Sequence, residues 1–432
     1  MKNTIPEELS RRSFMSNTAR TCLGVSVAPM LGATLGSDAL GATRNAPTPR
    51  ARNVIFLNMR GGMSHLDTFD TKPESKTVQG PVSSINTSAD GIQISEYLPL
   101  VAKQMKHVAI LPTMTSTQGA HAQAQYFLHA SYVKRGTISH PCFGSWVSRL
   151  SGKINSSLPA NVVINGGSNV HGAGYMESAH APLPIGNPDN GLSHSVLPDY
   201  VDKKHLDYRL KMAEKMNSRF KQTYNHKDVR AYTTMYDEAI KLMNSRDLDS
   251  FDISKEPEAI RTAYGEDSFG KGCLLARRLV EANVRFIEVA LNGWDTHNDN
   301  FERVEELCTR LDRGMGTLLE DLKMRGLLES TLVVLATEFG RTPDIVTGRA
   351  GRNHYPKAFT CLMAGAGIKG GMRHGKSDKE GREAAESPVR IVDFNATIAT
   401  LMGIPLNHVI TSPSKRPFTI ADKGRPINAI IA

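Results

Sequence analysis

Four short stretches of this 432-residue chain bring acidic, imidazole and guanidinium side chains together beside glycine. They are Arg60-Gly61-Gly62-Met63-Ser64-His65-Leu66-Asp67-Thr68-Phe69-Asp70, Gly293-Trp294-Asp295-Thr296-His297, Thr337-Glu338-Phe339-Gly340-Arg341-Thr342-Pro343 and Gly351-Arg352-Asn353-His354. Oxygen and imidazole donors drawn from separate loops are how a protein assembles a metal site. A mixed set suits zinc, manganese or iron, and an all-oxygen set suits calcium or magnesium. One Asp-x-His alone says little, because an Asp before a helix is often only its N-cap; Asp299 ahead of Phe301 is open to that reading. Four such loops together point to ligation, with Asp67, Asp295, His297, Glu338 and His354 as candidate metal ligands. His65 and Asp70 are candidates for orienting a ligand from behind. Arg341 and Arg352 flank the set. An arginine fork matches phosphate or sulfate oxygens, and it also makes ordinary loop salt bridges.

These loops need a frame. Apolar, β-branched runs occur at 53–58, 107–111, 161–164, 284–289, 331–335 and 359–363. Near-continuous runs of this kind predict strands buried on both faces. Helical patterns alternate with them, most clearly Phe301, Val304, Leu307, Leu311, Met315, Leu318 and Leu322 at spacings of three and four. The alternation predicts an α/β fold, a mostly parallel sheet with helices on both faces. Three of the four chemical loops then follow strands, where open α/β sheets bind their ligands. The stretch from about 195 to 263 is charged and helical, and reads as an inserted cap or lid.

The four motifs, with Ala276-Arg277-Arg278-Leu279-Val280-Glu281 and Asp393-Phe394-Asn395-Ala396-Thr397, resemble a secreted bacterial family, domain of unknown function 1501. That family is a branch of the alkaline phosphatase and sulfatase superfamily, and the resemblance runs from Asn53 to the C-terminus. It implies a three-layer alkaline-phosphatase-like sandwich over residues 53–432. It implies that Asp67 takes the place of the metal-binding Asp after the first strand, that Asp295 and His297 form the pair before a helix, and that His354 is the last ligand. Glu338-Phe339 stands where relatives carry two donors. Phe cannot ligate, so a single metal is implied. Sulfatases carry a Cys-x-Pro-x-Arg nucleophile motif, and none exists here. His121 falls nearest that position. It is open to being a nucleophile, a general base, a ligand or a helix-face residue, with Ser116 and Thr117 as alternatives.

Composition agrees with a soluble globular protein, and 432 residues can hold one large domain with an insertion. The formal net charge is +9, but Lys and Arg are scattered, and Arg277-Arg278 reads as a helix surface. No zinc-finger spacing or aromatic-basic strip is present, which argues against nucleic acid. Of the five cysteines, Cys22 lies in the leader. Cys273 and Cys308 lie in helical patterns and read as small buried hydrophobes. The N-terminus carries Ser10-Arg11-Arg12-Ser13-Phe14-Met15 before a weak, glycine-rich apolar stretch, which reads as a twin-arginine signal over 1–42 with a linker over 43–52. A periplasmic or secreted location follows, with the twin-arginine translocase as a partner and no stable membrane span after cleavage.

The expected function is an exported hydrolase of phosphate or sulfate esters that depends on a divalent metal ion (zinc, manganese, calcium or magnesium). Its substrate would be an anionic ester, including sulfated or phosphorylated polymers. The rival is a non-catalytic protein that binds such polymers on the same scaffold. A structural envelope protein gives no reason for donors to gather at strand ends.

Overall fold

The computed structural model describes residues 48–167, 171–192, 195, 202–224 and 227–432. The stretch 1–42 that the sequence reading assigns to a twin-arginine signal lies outside the described residues. All six predicted strands form: β1 (Asn53–Arg60), β2 (Val108–Thr115), β3 (Asn161–Ile164), β5 (Phe286–Asn292), β6 (Thr331–Ala336) and β7 (Phe359–Ala364). Short strands β4 (Leu183–Ile185), β8 (Met372–Arg373) and β9 (Val389–Arg390) complete a nine-stranded sheet. The order is β8-β2-β7-β6-β1-β5-β3-β4, with β9 also on β2. Every pairing is parallel except those of β7, which runs antiparallel to β2 and β6.

The helices used below are α1 (His121–Ala130), α2 (Phe143–Ser151), α3 (Lys203–Thr223), α4 (Lys227–Met243), α5 (Ser268–Glu281), α6 (Asn300–Met324) and α7 (Ile391–Leu401). Strand periodicity divides the core in two. Ile55, Leu57 and Met59 of β1 pack with Leu274 and Leu279 of α5 and Leu311 and Leu318 of α6. Val54 and Phe56 face the other way, towards Trp146 of α2 and Phe394 and Ile398 of α7. The result is a three-layer α/β protein. The stripe on α6 buries Val304, Leu307, Leu311, Met315, Leu318 and Leu322, each worth roughly 1.5–3 kcal/mol of gross transfer free energy. Phe301 is the exception: it stays half-buried, with the Arg352 guanidinium over its ring.

Three details differ from the sequence reading. Asp299 stands at the N-cap position of α6 with φ +52°, but its side chain makes no capping bond. Arg277 is not a surface residue. It is buried, because Glu256, Glu281 and Asp321 surround it at 2.6, 2.7 and 2.9 Å and compensate its charge. The insertion is helical, with α3, α4 and Glu258–Tyr264, but α4 is no cap over the chemical loops. Lys153 Nζ reaches Glu238 at 2.8 Å, and Lys241 Nζ donates to the Ser156 carbonyl at 2.9 Å. Met235, Glu238 and Leu242 share a cavity with Asn161 and Leu183, the first residues of β3 and β4. That is the amino end of the strands, and the loops leave the carboxyl end. Cys142, Cys273, Cys308 and Cys361 are free and buried. Among the described residues, no helix is long and apolar enough to cross a membrane.

Candidate metal centre

β6, β1 and β5 are adjacent and parallel, so the loops beyond their carboxyl ends emerge side by side. They meet closely. Gly61 has φ +118°, and a Cβ there would stand 2.5 Å from the backbone nitrogen of Asp295. Its own N–H donates to Glu338 Oε1 at 2.9 Å, which ties the first loop to the third. The fourth loop arrives by a short antiparallel pairing of His354 with Arg341 and of Tyr355 with Gly340. The segment after β2 delivers His121 as the first residue of α1.

Asp295 Oδ1 is the focus. His121 Nε2 lies 3.3 Å from it, His297 Nε2 3.2 Å and His354 Nε2 3.4 Å. The ring nitrogens of His297 and His354 are 3.0 Å apart. The other nitrogen of each ring faces an acceptor. His121 Nδ1 donates to Glu338 Oε1 at 2.8 Å, His297 Nδ1 to Asn353 Oδ1 at 3.1 Å and His354 Nδ1 to the Gly119 carbonyl at 2.9 Å. A proton held on each Nδ1 leaves each Nε2 with a free lone pair. His121 Nε2 is buried and makes no hydrogen bond. His121, Asp295 and His354 form a group of donors mutually within 4.8 Å, and His297 adjoins two of them.

This arrangement fits a metal ion. Donors on the corners of a tetrahedron about zinc, with bonds near 2.0–2.1 Å, stand about 3.3 Å apart. The Asp295 separations to His121 and His354, 3.3 and 3.4 Å, are close to that edge, and His297 adjoins Asp295 and His354 at 3.2 and 3.0 Å from outside the mutual group. Converging lone pairs repel one another unless a cation or proton lies between them. Three imidazoles and one carboxylate are the donor chemistry of zinc and its neighbours, and are poor for calcium or magnesium. Burial opposes ionisation of Asp295, but the Arg341 bond at 2.6 Å and the nearby His121 and His297 outweigh it and bring its pKa to about 2. The His121 pKa is raised, chiefly by its bond to Glu338, and that of His354 is lowered by burial.

The other expected site residues sit around this centre rather than in it. Glu338 is buried and accepts from Gly61, His121 and Gln125, so it holds His121 instead of facing the donors. Asp67 is buried and bound to Arg352 through both oxygens, at 2.9 and 3.1 Å, and also accepts from Ser64 and Asn300. Its lone pairs are committed, and the structure does not bring it into the group. Arg352 spends its remaining donors on the Thr342, Pro343 and Val78 carbonyls. Arg341 is buried and bonds Asp295 and the Gly61, Gly62 and Arg352 carbonyls. Neither arginine has a free edge for a substrate oxygen. His65 Nε2 donates to the Gly381 carbonyl, and Asp70 binds Lys72, Arg373 and Ser377, so both brace the first loop. Ser116 and Thr117 bond locally to Gln118.

Sequence reasoning missed a polar chain behind the centre. Glu338 Oε2 accepts from Gln125 at 2.8 Å, Asn58 Nδ2 donates to Gln125 and to Glu288, and Glu288 meets His129 at 3.1 Å through both oxygens. The signal was in the sequence: His121, Gln125 and His129 stand four apart, on one helical face. Phe339 is buried, with its ring 4.9 Å from that of His121 and 4.6 Å from that of His354, so it walls the centre with an apolar ring that offers no donor.

The imidazole-rich donor group thus stands beyond the carboxyl ends of a mostly parallel sheet. The sequence matches the family described as "Protein of unknown function (DUF1501)" over residues 51–431, and the chain belongs to that family. No curated protein matches it. Among solved structures it is similar to the lipoteichoic acid synthase LtaP from Listeria monocytogenes, at 10% identity and TM-score 0.36 over 94% of this chain and 81% of that one. It is similar to the PsFucS1 sulfatase from Pseudoalteromonas sp., at 14% identity and TM-score 0.39 over 98% and 77%. It is also similar to a variant of the alkaline phosphatase PafA, at 11% identity and TM-score 0.43 over 89% and 100%.

Proposed function

We propose that this protein is an exported, metal-dependent hydrolase of phosphate or sulfate esters. One observation carries the reading: three Nε2 atoms, each with its Nδ1 proton anchored, converge on one carboxylate oxygen. The donor set favours zinc. When bound, such an ion supplies a Lewis acid for an ester oxygen and lowers the pKa of a water. The chain's own residues prepare for it. Glu338, Asn353 and the Gly119 carbonyl fix the imidazoles in the ligating tautomer. Arg341 keeps Asp295 ionised. The Asp295 side chain is 47% exposed, so the donor face is open to an incoming ester. The twin-arginine leader supports export of the already folded protein.

Elemental analysis of the purified chain and an assay against phosphate and sulfate monoesters test this. The expected result is about one zinc per chain, turnover that chelation abolishes, and loss of both in Asp295→Ala and His354→Ala. Failure to take up metal, or undiminished turnover in Asp295→Ala, overturns the reading. Metal uptake without turnover of any ester favours the non-catalytic alternative, which the engagement of Arg341 and Arg352 supports.

A further inference from the structure

Helix α3 carries Tyr208, Met212, Met216 and Phe220 at every fourth position, and Tyr224 follows at its C-cap. These side chains are 43–65% exposed. Residues four apart are neighbours on a helix surface, and each step turns by about 40°, so Tyr208 to Phe220 form a continuous apolar row that winds across about 120° of a helix about 31 Å long. The Phe220 and Tyr224 rings pack at 4.8 Å and close the band at its end. The far side, with Leu206, Leu210, Ala213 and Asn217, is half-buried. A monomeric protein does not ordinarily show water five large apolar groups in a row.

Charge indicates what covers the band. Within Lys203–Thr223 lie Lys203, Lys204, Arg209, Lys211, Lys215, Arg219 and Lys221, against Asp207 and Glu214 alone. Seven positive charges less two negative give +5, more than half of the chain's net +9, carried by 21 residues. Lys204, Lys211 and Lys215 are exposed and run along the edge of the apolar band. Two copies of α3 packed band to band would set these basic rows against each other. An anionic bilayer satisfies both features, taking the apolar side chains between its headgroups while its phosphates meet the lysines.

We infer that α3 docks this protein on an anionic phospholipid surface. The inference is independent of the hydrolase reading, since none of these residues belongs to the metal centre. Sedimentation of the full chain with vesicles tests it, comparing phosphatidylglycerol mixed into phosphatidylcholine with phosphatidylcholine alone. Wild type is expected to pellet with the anionic vesicles and to be released by salt. The double variant Met216→Glu/Phe220→Glu, altered only at exposed positions, is expected to lose at least about ten-fold in partition with an unchanged circular dichroism melt. The N-terminal leader is common to both proteins, so the difference reads α3 alone. Equal partition of variant and wild type overturns the inference. So does a wild-type dimer in light scattering that the variant converts to monomer, or retention on a sulfated polysaccharide without any vesicle binding.

Discussion

At the scale of single residues, the centre depends on which nitrogen of each histidine is held. Glu338 fixes His121 by accepting from Nδ1 at 2.8 Å, while its other oxygen is itself fixed by Gln125 at 2.8 Å. Glu338→Gln keeps the shape but sets an amide that can neither carry the charge nor accept from both partners. Metal affinity is expected to fall about 10–100-fold with the fold intact, as measured by competition with a chelating dye. An unchanged affinity would mean that His121 is not a ligand. Residue type alone could not separate the ligands from their supports. Asp67 and Asp295 both follow strand ends in glycine-containing loops. One is sealed by Arg352 and the other is exposed among histidines, and only the neighbours in space decide which.

At the scale of elements, strands and helices were legible because burial on both faces writes near-continuous apolar runs, and burial of one face writes a three-four stripe. The loops between them follow no such code. Their paths are set by close approaches such as that at Gly351, where a Cβ would lie 1.8 Å from the His297 carbonyl oxygen. Gly351→Ala must therefore push the fourth loop away from the second, and with it Asn353 and His354. The expected cost is about 1–3 kcal/mol of stability, read from denaturant unfolding, together with weaker metal retention. Full retention with unchanged stability would show that the two loops are not locked together. The insertion makes the same point. Its helices were readable from sequence, but its packing against the amino end of β3 was not.

At the scale of the molecule, a buried ion pair ties α1 to the sheet. His129 Nδ1 faces the Gln125 carbonyl and Nε2 faces both Glu288 oxygens, so both nitrogens act as donors and the ring is an imidazolium. Burial works against that charge, but Glu288 outweighs it and raises the His129 pKa above 6.5, while His129 in turn lowers that of Glu288. A raised folded pKa contributes stability that is fully present below the unfolded value and is lost as pH rises through the folded one. His129→Gln should therefore be destabilised by about 3–5 kcal/mol near pH 6, and the gap to wild type should narrow towards pH 9. Thermal midpoints across that range check it; a gap that widens with pH contradicts the assignment.

The sequence by itself determined the α/β class, the strands and helices of the core, the family, and the four loops that carry chemistry. These are recorded in local periodicity and in contiguous motifs. Only the tertiary structure decided that His121, Asp295, His297 and His354 meet, that Glu338 stands behind them, and that Asp67, Arg341 and Arg352 spend their bonds on one another's loops. A donor's role depends on which lone pairs its neighbours leave free, and those neighbours lie tens to hundreds of residues away along the chain. The basic, apolar-banded surface of α3 belongs to both levels: the spacing was in the sequence, but the fold showed that nothing else covers it among the described residues.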